Sequence, residues 1–359
     1  MSQNEDMKVI QQKWRIHMKN ITVLGIDLAK NVFQLHGTDS KGKCVLKKRL
    51  GREGLIEFMA QLPSCLIGIE ACGGSHYWAR TFQLMGHTVK MMAPQFVKPY
   101  VKSNKNDQND AGGINEAVTR PSMRFVPIKN IEQQDILLIH RCRELLMKQK
   151  TALSNQIRGL LAEYGIVIPQ GMGQIKILPE ILDININKLT TRATLIFVRL
   201  HEQFKNLEEQ INGYDKDIEE HVKEDARCIE IQKLKGIGPI TASAIVATIG
   251  DPGVFKNGRE VSAWFGLVPK QHSSGNKIRL GGISKRGDRY IRTLLIHGAR
   301  SVVNMCEKRT DNLSLWVADK KHRCGYNKAA VALANKNARV IWAMLATGEA
   351  YRTPQENVT

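Results

Sequence analysis

Two apolar, β-branched runs near the start of the chain each end on a carboxylate, and they constrain the fold more than any other feature. Residues 21–27 read Ile-Thr-Val-Leu-Gly-Ile-Asp, and residues 66–70 read Leu-Ile-Gly-Ile-Glu. Short continuous apolar runs of this kind are typical of strands buried inside a sheet. The sequence therefore predicts an α/β domain in which two buried strands end on the acids Asp27 and Glu70.

The neighbouring segments extend this pattern to a β-β-β-α-β-α order. Further elements are predicted as strands at residues 32–37, 44–50 and 87–92 and as a helix at residues 75–85. A polar loop with Lys102 and Lys105 then leads to Asp107 and Asp110 at the start of another helix. Because residues three apart lie on one face of a helix, these two acids are expected to point the same way.

Four acids of this domain are candidates for one metal site: Asp27, Glu70, Asp107 and Asp110. Carboxylates held close together raise each other's pKa, so such a cluster persists mainly when a divalent cation neutralises it. Oxygen ligands select Mg²⁺ or, alternatively, Mn²⁺, and two-metal sites of this kind drive phosphoryl transfer. In the alternative interpretation, Asp107 and Asp110 cap the helix that they begin, and Glu70 is a surface acid.

The chain is strongly basic, and its positive charge lies towards both ends. It carries 53 Lys and Arg against 34 Asp and Glu, a formal net charge of +19. Residues 1–135 have a net charge of +7, residues 136–224 are neutral, and residues 225–359 have a net charge of +12. This distribution predicts that both terminal parts contact a polyanion such as nucleic acid; a generally basic proteome is the alternative explanation.

The composition predicts a reduced, cytoplasmic protein. No apolar run reaches the ~18 residues of a membrane helix, and residues 1–20 contain no apolar signal core. The seven cysteines are scattered and form no Cys-x-x-Cys motif, which argues against a disulfide framework or a zinc knuckle. Residues 1–18 are expected to be a disordered polar extension.

The neutral middle segment has the periodicity of a helical hairpin. Apolar residues spaced alternately by three and four form one stripe: Phe197, Leu200, Phe204, Leu207, Ile211, Tyr214 and Ile218. A second stripe precedes it: Leu138, Cys142, Leu145, Leu146, Leu153, Ile157, Leu160, Leu161 and Tyr164. With a link that contains Gly and Pro at residues 169–179, the stripes predict an antiparallel coiled-coil hairpin. They form either its internal core or a seam through which chains self-associate.

The C-terminal third contains a Gly-rich turn followed by a basic segment. Gly236 and Gly238 lie between two helical stretches, as in a helix-hairpin-helix whose backbone N–H groups bind phosphate. A plain turn between helices is the alternative. Residues 270–292 then hold seven basic side chains and one acid, together with single glycines that allow a backbone to approach a ligand.

Three motifs of the first domain resemble the RuvC/RNase H-like DEDD domain of one transposase family: Gly25-Ile-Asp27-Leu-Ala-Lys30, Gly68-Ile-Glu70 and Asn106-Asp107-x-x-Asp110-Ala111. This family comprises the transposases of the IS-one-ten and IS-eleven-eleven insertion sequences and the pilin-gene DNA invertases. Two later motifs are similar to its second conserved domain: Pro269-x-x-x-x-Ser274-Gly275 and Ser284-Lys-Arg-Gly287. The likeness runs from residue 21 to the C-terminus.

The resemblance implies a site-specific recombinase that moves its own insertion sequence on double-stranded DNA, at the element ends and at the target. It also implies a structured non-coding guide RNA and a homo-oligomer, a dimer that becomes a tetramer in the synapse. The four acids would bind the metal, and Ser274 would be the nucleophile that leaves a phosphoserine link. From the residues alone, Ser274 can instead be a turn serine that caps a backbone N–H, and Ser273 is the obvious alternative assignment.

Ten residues are candidates for contacts with nucleic acid: Lys102, Lys105, Gly236, Gly238, Lys270, Lys277, Arg279, Lys285, Arg286 and Arg289. For each side chain, a solvated basic surface is the alternative. Two other functions stay open at this point. A metal-dependent, junction-resolvase-like nuclease would form no covalent protein–DNA adduct, and a non-catalytic nucleic-acid-binding protein would have no use for four converging acids.

The sequence thus predicts an α/β domain followed by all-α structure. A RuvC/RNase H-like domain is expected at residues 19–130 and a coiled-coil hairpin at residues 131–225. A mainly helical C-terminal domain, with the helix-hairpin-helix and the candidate serine, is expected at residues 226–359.

Overall fold

The computed structural model describes residues 20–101, 107–275 and 277–351. The chain divides into two compact units, one up to Asn130 and one from Ile131 onwards. The expected extension at residues 1–18 and the candidate contacts Lys102 and Lys105 lie outside the described residues. A further division of the second unit at residue 225 stays a prediction.

The first unit contains a six-stranded mixed sheet. Its strands are β1 Val23–Leu28, β2 Val32–Thr38, β3 Cys44–Gly51, β4 Leu66–Glu70, β5 Thr88–Met92 and β6 Phe125–Val126, in the sheet order β3-β2-β1-β4-β5-β6. β4 runs parallel to both of its neighbours, β1 and β5, whereas the other pairs are antiparallel. The strands predicted from the apolar runs are therefore confirmed, with ends shifted by at most two residues.

Helices cover both faces of this sheet. Within the described residues they are α1 Arg52–Gln61, α2 Ser75–Leu84, α3 Pro94–Val97 and α4 Asp107–Val118. Side chains alternate between the two faces of a strand. Ile26 and Ile69 point into a core shared with Trp78 of α2, whereas the glycines next to them in sequence lie under α4. The acids of β1 and β4 therefore lie on the face that α4 covers.

The second unit is built mainly of helices. Within its described residues they are α5 Ile131–Ala162, α6 Gly173–Lys176, α7 Leu178–Ile184, α8 Thr191–Glu224, α9 Ala226–Ile231, α10 Pro239–Ile249, α11 Gly258–Trp264, α12 Arg289–Met305, α13 Asn312–Cys324 and α14 Tyr326–Thr347. A two-stranded antiparallel sheet, β7 Pro269–Gln271 and β8 Leu280–Ile283, lies between α11 and α12 in the chain. None of the described helices combines the length and apolarity that crossing a membrane requires.

α5 and α8 are two long helices that pack against each other in opposite directions. Lys150 of α5 binds Glu208 of α8, with Nζ and Oε1 2.7 Å apart. Arg143, nearer to the start of α5, forms an ion pair with Asp215, which lies further along α8. Because the contact on α8 moves forward as the contact on α5 moves back, the predicted antiparallel hairpin of helices is present.

The apolar stripe of α8 is buried inside this one chain. Phe197, Phe204, Ile211 and Ile218 are each at most 4 % exposed. Phe197 and Phe204 share a core with Ile157 of α5. Of the two predicted uses of this stripe, an internal core or a seam between chains, the structure shows the internal core for these side chains, and self-association stays a prediction.

The predicted stripe on α5 is buried only in its second half. Leu153, Ile157 and Leu161 are buried, whereas Leu138, Leu145 and Leu160 are exposed on a single chain, so these last three do not belong to its internal core. In the first half of α5 a polar side chain faces the other helices instead. His140 is 1 % exposed and forms hydrogen bonds with Tyr290 and Ser243.

α10 is the centre of the remaining helices. Residues 241–249 are all buried, because this helix is apolar on every side. The turn that precedes it packs tightly on α12: a Cβ atom at Gly236 would lie 2.7 Å from the carbonyl oxygen of Gly298. Gly236 also has a φ of +86°, a conformation that favours glycine. These contacts explain the glycine at 236, and its predicted contact with phosphate stays a prediction.

Candidate functional site

Asp27 and Glu70 lie at the ends of two neighbouring parallel strands. Gly25 of β1 pairs in register with Gly68 of β4, and each acid follows its glycine by two residues. Because the side-chain period of a strand is two, both acids point to the same face as the two glycine positions. Asp27 and Glu70 are half-buried. The sheet therefore places two carboxylates side by side at one edge.

α4 lies on this same face, and the two glycines determine how close it comes. A Cβ atom at Gly25 would be 2.3 Å from the carbonyl oxygen of Ala111, and one at Gly68 would be 2.8 Å from Cβ of Val118. Any other side chain at these positions would force the helix away from the sheet. The glycines thus have a packing role that holds α4 against the strands carrying the acids.

The direction of α4 brings its first turn towards the two acids. The side-chain amide of Asn115 donates a hydrogen bond to the carbonyl oxygen of Val23 at 3.0 Å, while Ala111 lies over Gly25. The helix therefore runs opposite to β1. Two strand residues and four helix residues both advance about 6 Å, so the start of the helix reaches the end of β1.

Asp107 and Asp110 lie in that first turn of α4. Asp110 is half-buried, and the side chain of Asp107 lies outside the described atoms. The structure thus brings Asp27 and Glu70 to one sheet edge and brings the first turn of α4 to the same edge. The mutual placement of the four carboxylates stays a prediction.

Two glycines follow Asp110 directly and lower the intrinsic stability of α4. Gly113 has a packing reason, because a Cβ atom there would lie 2.9 Å from Cγ2 of Val101 and 3.2 Å from its backbone nitrogen. Gly112 faces the ring of His36, where a Cβ atom would make an ordinary contact at 3.5 Å. Close packing therefore explains the glycine at 113, whereas no contact among the described residues requires a glycine at 112.

Cys72 is a neighbour of the acids to which sequence reasoning assigned no role. Its Sγ lies 3.8 Å from the carbonyl oxygen of Leu28, the residue after Asp27. Burial raises the pKa of the Cys72 thiol, and the charges of Glu70 and Asp27 raise it further. Both carboxylates therefore act on one thiol. The only sequence signal was that Cys72 follows Glu70 by two residues.

The donor set of this edge fits a hard divalent cation. Asp27, Glu70 and Asp110 offer carboxylate oxygen, the ligand that Mg²⁺ and Mn²⁺ prefer. All three are half-buried, so they remain accessible from solvent. The fold therefore provides the type of ligand that a DEDD-type domain requires.

Ser274 lies in the second unit, on the loop that joins β7 to β8. It is exposed, and its backbone carbonyl accepts a hydrogen bond from the N–H of Lys277 at 3.3 Å. The hydroxyl of Ser274 makes no hydrogen bond with any residue that the structure describes. By contrast, the hydroxyl of Ser273 accepts from Nε2 of Gln271 at 3.0 Å and from the N–H of Arg279 at 3.3 Å. The two adjacent serines thus differ, since Ser273 ties the loop together and Ser274 does not.

The loop of residues 284–287, which follows this hairpin, is fixed by close backbone contacts. The N–H of Lys285 donates to the carbonyl oxygen of Gly266 at 3.1 Å. A Cβ atom at Gly287 would lie 1.8 Å from the carbonyl oxygen of Trp264. Lys285 has a φ of +54°, the only positive φ outside glycine among the described residues. Such strain persists where surrounding contacts enforce it, and here it holds Lys285 and Arg286 on a rigid loop.

Six candidate contacts with nucleic acid are exposed cations on this hairpin and just after it: Lys270, Lys277, Arg279, Lys285, Arg286 and Arg289. No ion pair joins any of them to a residue within the described ranges. Elsewhere in the unit, cations such as Arg143 and Lys235 are paired with carboxylates. Arg292 closes the basic segment but is buried, and it donates to the carbonyl oxygen of Phe265 at 3.0 Å. The exposed cations are therefore available to a polyanion.

Two family models match this chain. One, described as "Transposase IS116/IS110/IS902 family", matches residues 228–314, the range that contains Ser274. The other, described as "Transposase" and named after the DEDD domain of IS110 elements, matches residues 24–166, the range that contains the four acids.

Several curated proteins are similar to this chain over nearly its full length. A probable family 20 transposase of Pseudomonas aeruginosa is 46 % identical over 335 residues, 93 % of this chain and 99 % of the relative. The transposase for insertion sequence element IS1111A of Coxiella burnetii is 46 % identical over 344 residues, 96 % of this chain and 94 % of the relative. The transposase for insertion sequence element IS1328 of Yersinia enterocolitica is 39 % identical over 334 residues, 93 % of this chain and 99 % of the relative.

Proposed function

The chain belongs to the IS116/IS110/IS902 family of insertion-sequence transposases, and we propose that it recombines DNA through a phosphoserine intermediate at Ser274. Transposases cut and rejoin DNA, so DNA is the substrate. One observation carries the proposal: the hydroxyl of Ser274 is exposed, has no hydrogen-bond partner among the described residues and lies on a hairpin of unpaired cations. A serine that served only to cap the turn would instead bond to it, as Ser273 does.

In the proposed step, Oγ of Ser274 attacks the phosphorus of a DNA phosphodiester. The bond between serine and phosphorus forms as the bond between phosphorus and one sugar oxygen breaks. The serine hydroxyl loses its proton, and the departing sugar oxygen gains one. Rejoining is the reverse reaction with the hydroxyl of a different DNA end, so the covalent link preserves the phosphoester between the two halves of the reaction.

Asp27, Glu70, Asp107 and Asp110 are proposed as the ligands of one or two divalent cations, Mg²⁺ or Mn²⁺. The support is the shared face of Asp27 and Glu70, the approach of the first turn of α4, and the all-oxygen donor set. A bound cation would supply positive charge beside the phosphate that reacts. The carboxylates determine where the cation binds. Because they repel one another, a cation between them is stabilising.

The exposed cations near Ser274 are proposed to bind the phosphates of double-stranded DNA and of a guide RNA. Contacts from Lys and Arg to phosphate fix the position of a duplex but carry no sequence information. As the resemblance to the family implies, recognition of the element ends and of the target is proposed to rest on a structured non-coding RNA, as in other RNA-guided enzymes. The backbone N–H groups of Gly236 and Gly238 are also proposed to contact phosphate. Gly238 is exposed at the N-terminus of α10.

Several finer features belong to the same proposal. We retain the regular coiled-coil packing of α5 and α8, the helix-hairpin-helix at residues 234–242, and the boundary near residue 225. We also propose that the protein acts in the cytoplasm as a dimer, which forms a tetramer in the synapse. Since the stripe of α8 is buried within one chain, the contact between chains is expected to use another surface.

The test is to incubate the purified chain with DNA of the element ends, its flanking RNA and Mg²⁺, and to separate the products under denaturing conditions. A covalent protein–DNA adduct that needs both RNA and Mg²⁺ is the expected result. Asp27→Asn and Glu70→Gln should each remove the adduct while the protein still binds DNA.

The rival functions give different products in the same experiment. Mg²⁺-dependent cleavage without any adduct would indicate a structure-specific nuclease and would contradict the proposed intermediate. Binding without cleavage or adduct, at every RNA and metal concentration, would contradict the whole proposal for this copy. An adduct that survives in Asp27→Asn and Glu70→Gln would remove the acids from the chemistry and leave the serine in it.

A further inference from the structure

His221, Asp225 and Cys228 bring three metal-binding side chains together at the end of the long helix α8. One ligand atom from each, an imidazole nitrogen, a carboxylate oxygen and the thiol sulfur, all lie within 4.8 Å of one another. The proposed recombination uses none of them. We propose that these residues bind one Zn²⁺ ion, or a transition metal of similar preference, at the junction of α8 and α9.

The spacing of the ligand atoms is close to that of an occupied site. Tetrahedral bonds of about 2.0–2.3 Å to nitrogen, oxygen and sulfur place neighbouring ligand atoms about 3.5 Å apart. The three residues come from the last turn of α8, from the residue between the two helices and from α9. The three side chains must therefore move closer together for one ion to bind all of them.

Hydrogen bonds of the backbone hold these positions in place. The N–H of Asp225 donates to the carbonyl oxygen of His221 at 3.1 Å, and the carbonyl oxygen of Asp225 accepts from the N–H of Ile229 at 3.1 Å. The side chain of Asp225 accepts from the N–H of Arg227 at 2.9 Å and so caps α9. The backbone positions of the ligands are therefore fixed before any ion binds, and only side chains have to be ordered by binding.

Asp225 is the charged ligand of the proposed site, and Arg227 is its ion-pair partner. Partial burial opposes ionisation of Asp225, but the hydrogen bonds and charge of Arg227 outweigh it and hold the pKa of that carboxyl below its ordinary value. Asp225 is thus a carboxylate at neutral pH. Its two oxygens have about four acceptor positions. Arg227 donates to Oδ1 from its N–H at 2.9 Å and from Nε at 3.0 Å, and to Oδ2 from Nη2 at 2.7 Å, so one position on Oδ2 remains for a metal.

Cys228 is completely buried and enters the proposed site as a thiol. Burial and the neighbouring Asp225 raise the pKa of Cys228 to about 12. When the ion binds, the S–H bond breaks, the proton passes to solvent, and the sulfur forms a bond with the metal. His221 and Asp225 are half-buried, and a water molecule is proposed as the fourth ligand.

The donor set separates this site from the proposed acid site. Nitrogen and sulfur select Zn²⁺ and related metals, whereas Mg²⁺ binds oxygen. An ion here would tie the last turn of α8 to α9 and so fix the angle between the long helices and the C-terminal helices. The metal would therefore act on the stability and stiffness of the second unit.

The experiment is a titration of the metal-free, tag-free full chain with Co²⁺, which replaces Zn²⁺ and absorbs light strongly when bound to a thiolate. We expect a thiolate-to-Co²⁺ absorption band that saturates at one ion per chain and disappears when Zn²⁺ is added. The band should be absent from Cys228→Ser. It should persist in Cys306→Ser, a matched control, since Cys306 is also buried in the same core.

Cys72→Ser is the second control, because Cys72 lies beside the acids that we propose to bind Mg²⁺. A band that is lost in Cys72→Ser and kept in Cys228→Ser would place the metal at those acids and overturn the proposal. The proposal would be equally overturned if the wild-type chain gave no band at saturating Co²⁺.

His221→Gln keeps the experiment decisive if Cys228→Ser does not fold. His221 is half-buried at the end of a helix, so its replacement leaves the core intact. Loss of one ligand should weaken Co²⁺ binding at least about tenfold, given that outer contacts alone are worth 10- to 100-fold. Zn²⁺ should also raise the Tm of wild type and of Cys306→Ser more than that of His221→Gln. Equal affinity and equal Tm shifts in His221→Gln would contradict the assignment.

Discussion

Gly25 and Gly68 are register partners on adjacent parallel strands, and α4 lies against both of them. The pair fixes the distance between the helix and the sheet. Since Asp27 and Glu70 follow these glycines by two residues, the same pair also fixes how closely the first turn of α4 approaches the two acids. A packing contact and the candidate metal site thus depend on the same two positions.

Gly25→Ala should therefore destabilise the first unit and impair recombination. The new Cβ atom would lie 2.3 Å from the carbonyl oxygen of Ala111 and 2.5 Å from the backbone nitrogen of Asn115. We expect a loss of about 3 kcal/mol in the free energy of unfolding, measured by urea denaturation, because overpacking against backbone costs 1–3 kcal/mol or more.

Gly54→Ala is the matched control in the same unit. A Cβ atom at this position in α1 would make only an ordinary contact at 3.7 Å with Leu50. Alanine should stabilise this helix by about 0.5–1 kcal/mol. Equal urea midpoints for Gly25→Ala and wild type would mean that α4 does not lie on the sheet as described.

The reactivity of Cys72 reports whether Asp27 and Glu70 face a common point. Both carboxylates raise the pKa of this thiol, in addition to burial. Asp27→Asn and Glu70→Gln should each lower that pKa and increase the rate of alkylation by iodoacetamide at pH 7.5. A fall of one pKa unit raises the thiolate fraction about tenfold. The rate is measured by mass spectrometry of the Cys72 peptide.

Cys44, an exposed cysteine on β3, provides the internal reference for this measurement. Its alkylation rate should be the same in all three proteins. If the Cys72 rate is unchanged in both variants, the two carboxylates do not share the edge with the thiol, and a joint metal site becomes untenable.

The strands of the first unit could be predicted because their signal is local. An apolar, β-branched run such as residues 66–70 identifies a buried strand by itself, and the acid that ends it is visible in the same window. The position of α4 on the sheet could not be predicted in this way. It depends on Gly25 meeting Ala111, two residues far apart in the chain whose contact no short window contains.

In the helical unit, by contrast, the periodicity of apolar residues does not determine which side chains are buried within one chain. A stripe predicts that one face of a helix is covered, but it does not identify what covers it. Phe204 of α8 is covered by α5 of the same chain, whereas Leu138 of α5 is exposed. The burial of polar side chains could not be predicted either. His140 is the clearest case, because a single histidine is not part of any periodic pattern.

His140 should make the stability of the second unit depend on pH. Burial, with a smaller contribution from Arg143, lowers its pKa to about 4 in the folded chain, against about 6.5 for an unfolded histidine. The unfolded chain therefore binds the proton first as the pH falls. Stability should decrease from about pH 6.5 downwards, by about 2 kcal/mol between pH 7 and pH 5.

The measurement is urea denaturation of wild type and His140→Gln at several pH values. His140→Gln is less stable at pH 7, since Tyr290 and Ser243 lose their partner, but it should lack this part of the slope. His297→Gln, at an exposed position of α12, should keep the wild-type slope. Parallel curves for wild type and His140→Gln would show that the buried ring does not control the response.

Ser273→Ala and Ser274→Ala should have opposite effects, although the two serines are adjacent. Loss of the Ser273 hydroxyl removes hydrogen bonds with Gln271 and Arg279, so this variant should loosen the loop by about 1 kcal/mol and still form the adduct. Ser274→Ala removes no hydrogen bond within the described residues and should be as stable as wild type. It should nevertheless form no adduct and no recombinant DNA.

This dissociation of stability from activity separates a nucleophile from a structural serine. A nucleophile must bring its oxygen to roughly 3–3.5 Å from phosphorus and in line with the leaving group, so a neighbouring hydroxyl cannot replace it. Ser274→Cys presents a different atom at the same place and should retain at most a trace of adduct. DNA binding should persist in every variant, because Lys277 and Arg279 are unchanged. Peptide mapping after nuclease digestion then identifies the residue that carries the phosphate. A phosphate on Ser273 or Ser284 would contradict the assignment, since among the described residues of this loop only Ser274 has an exposed hydroxyl without a partner.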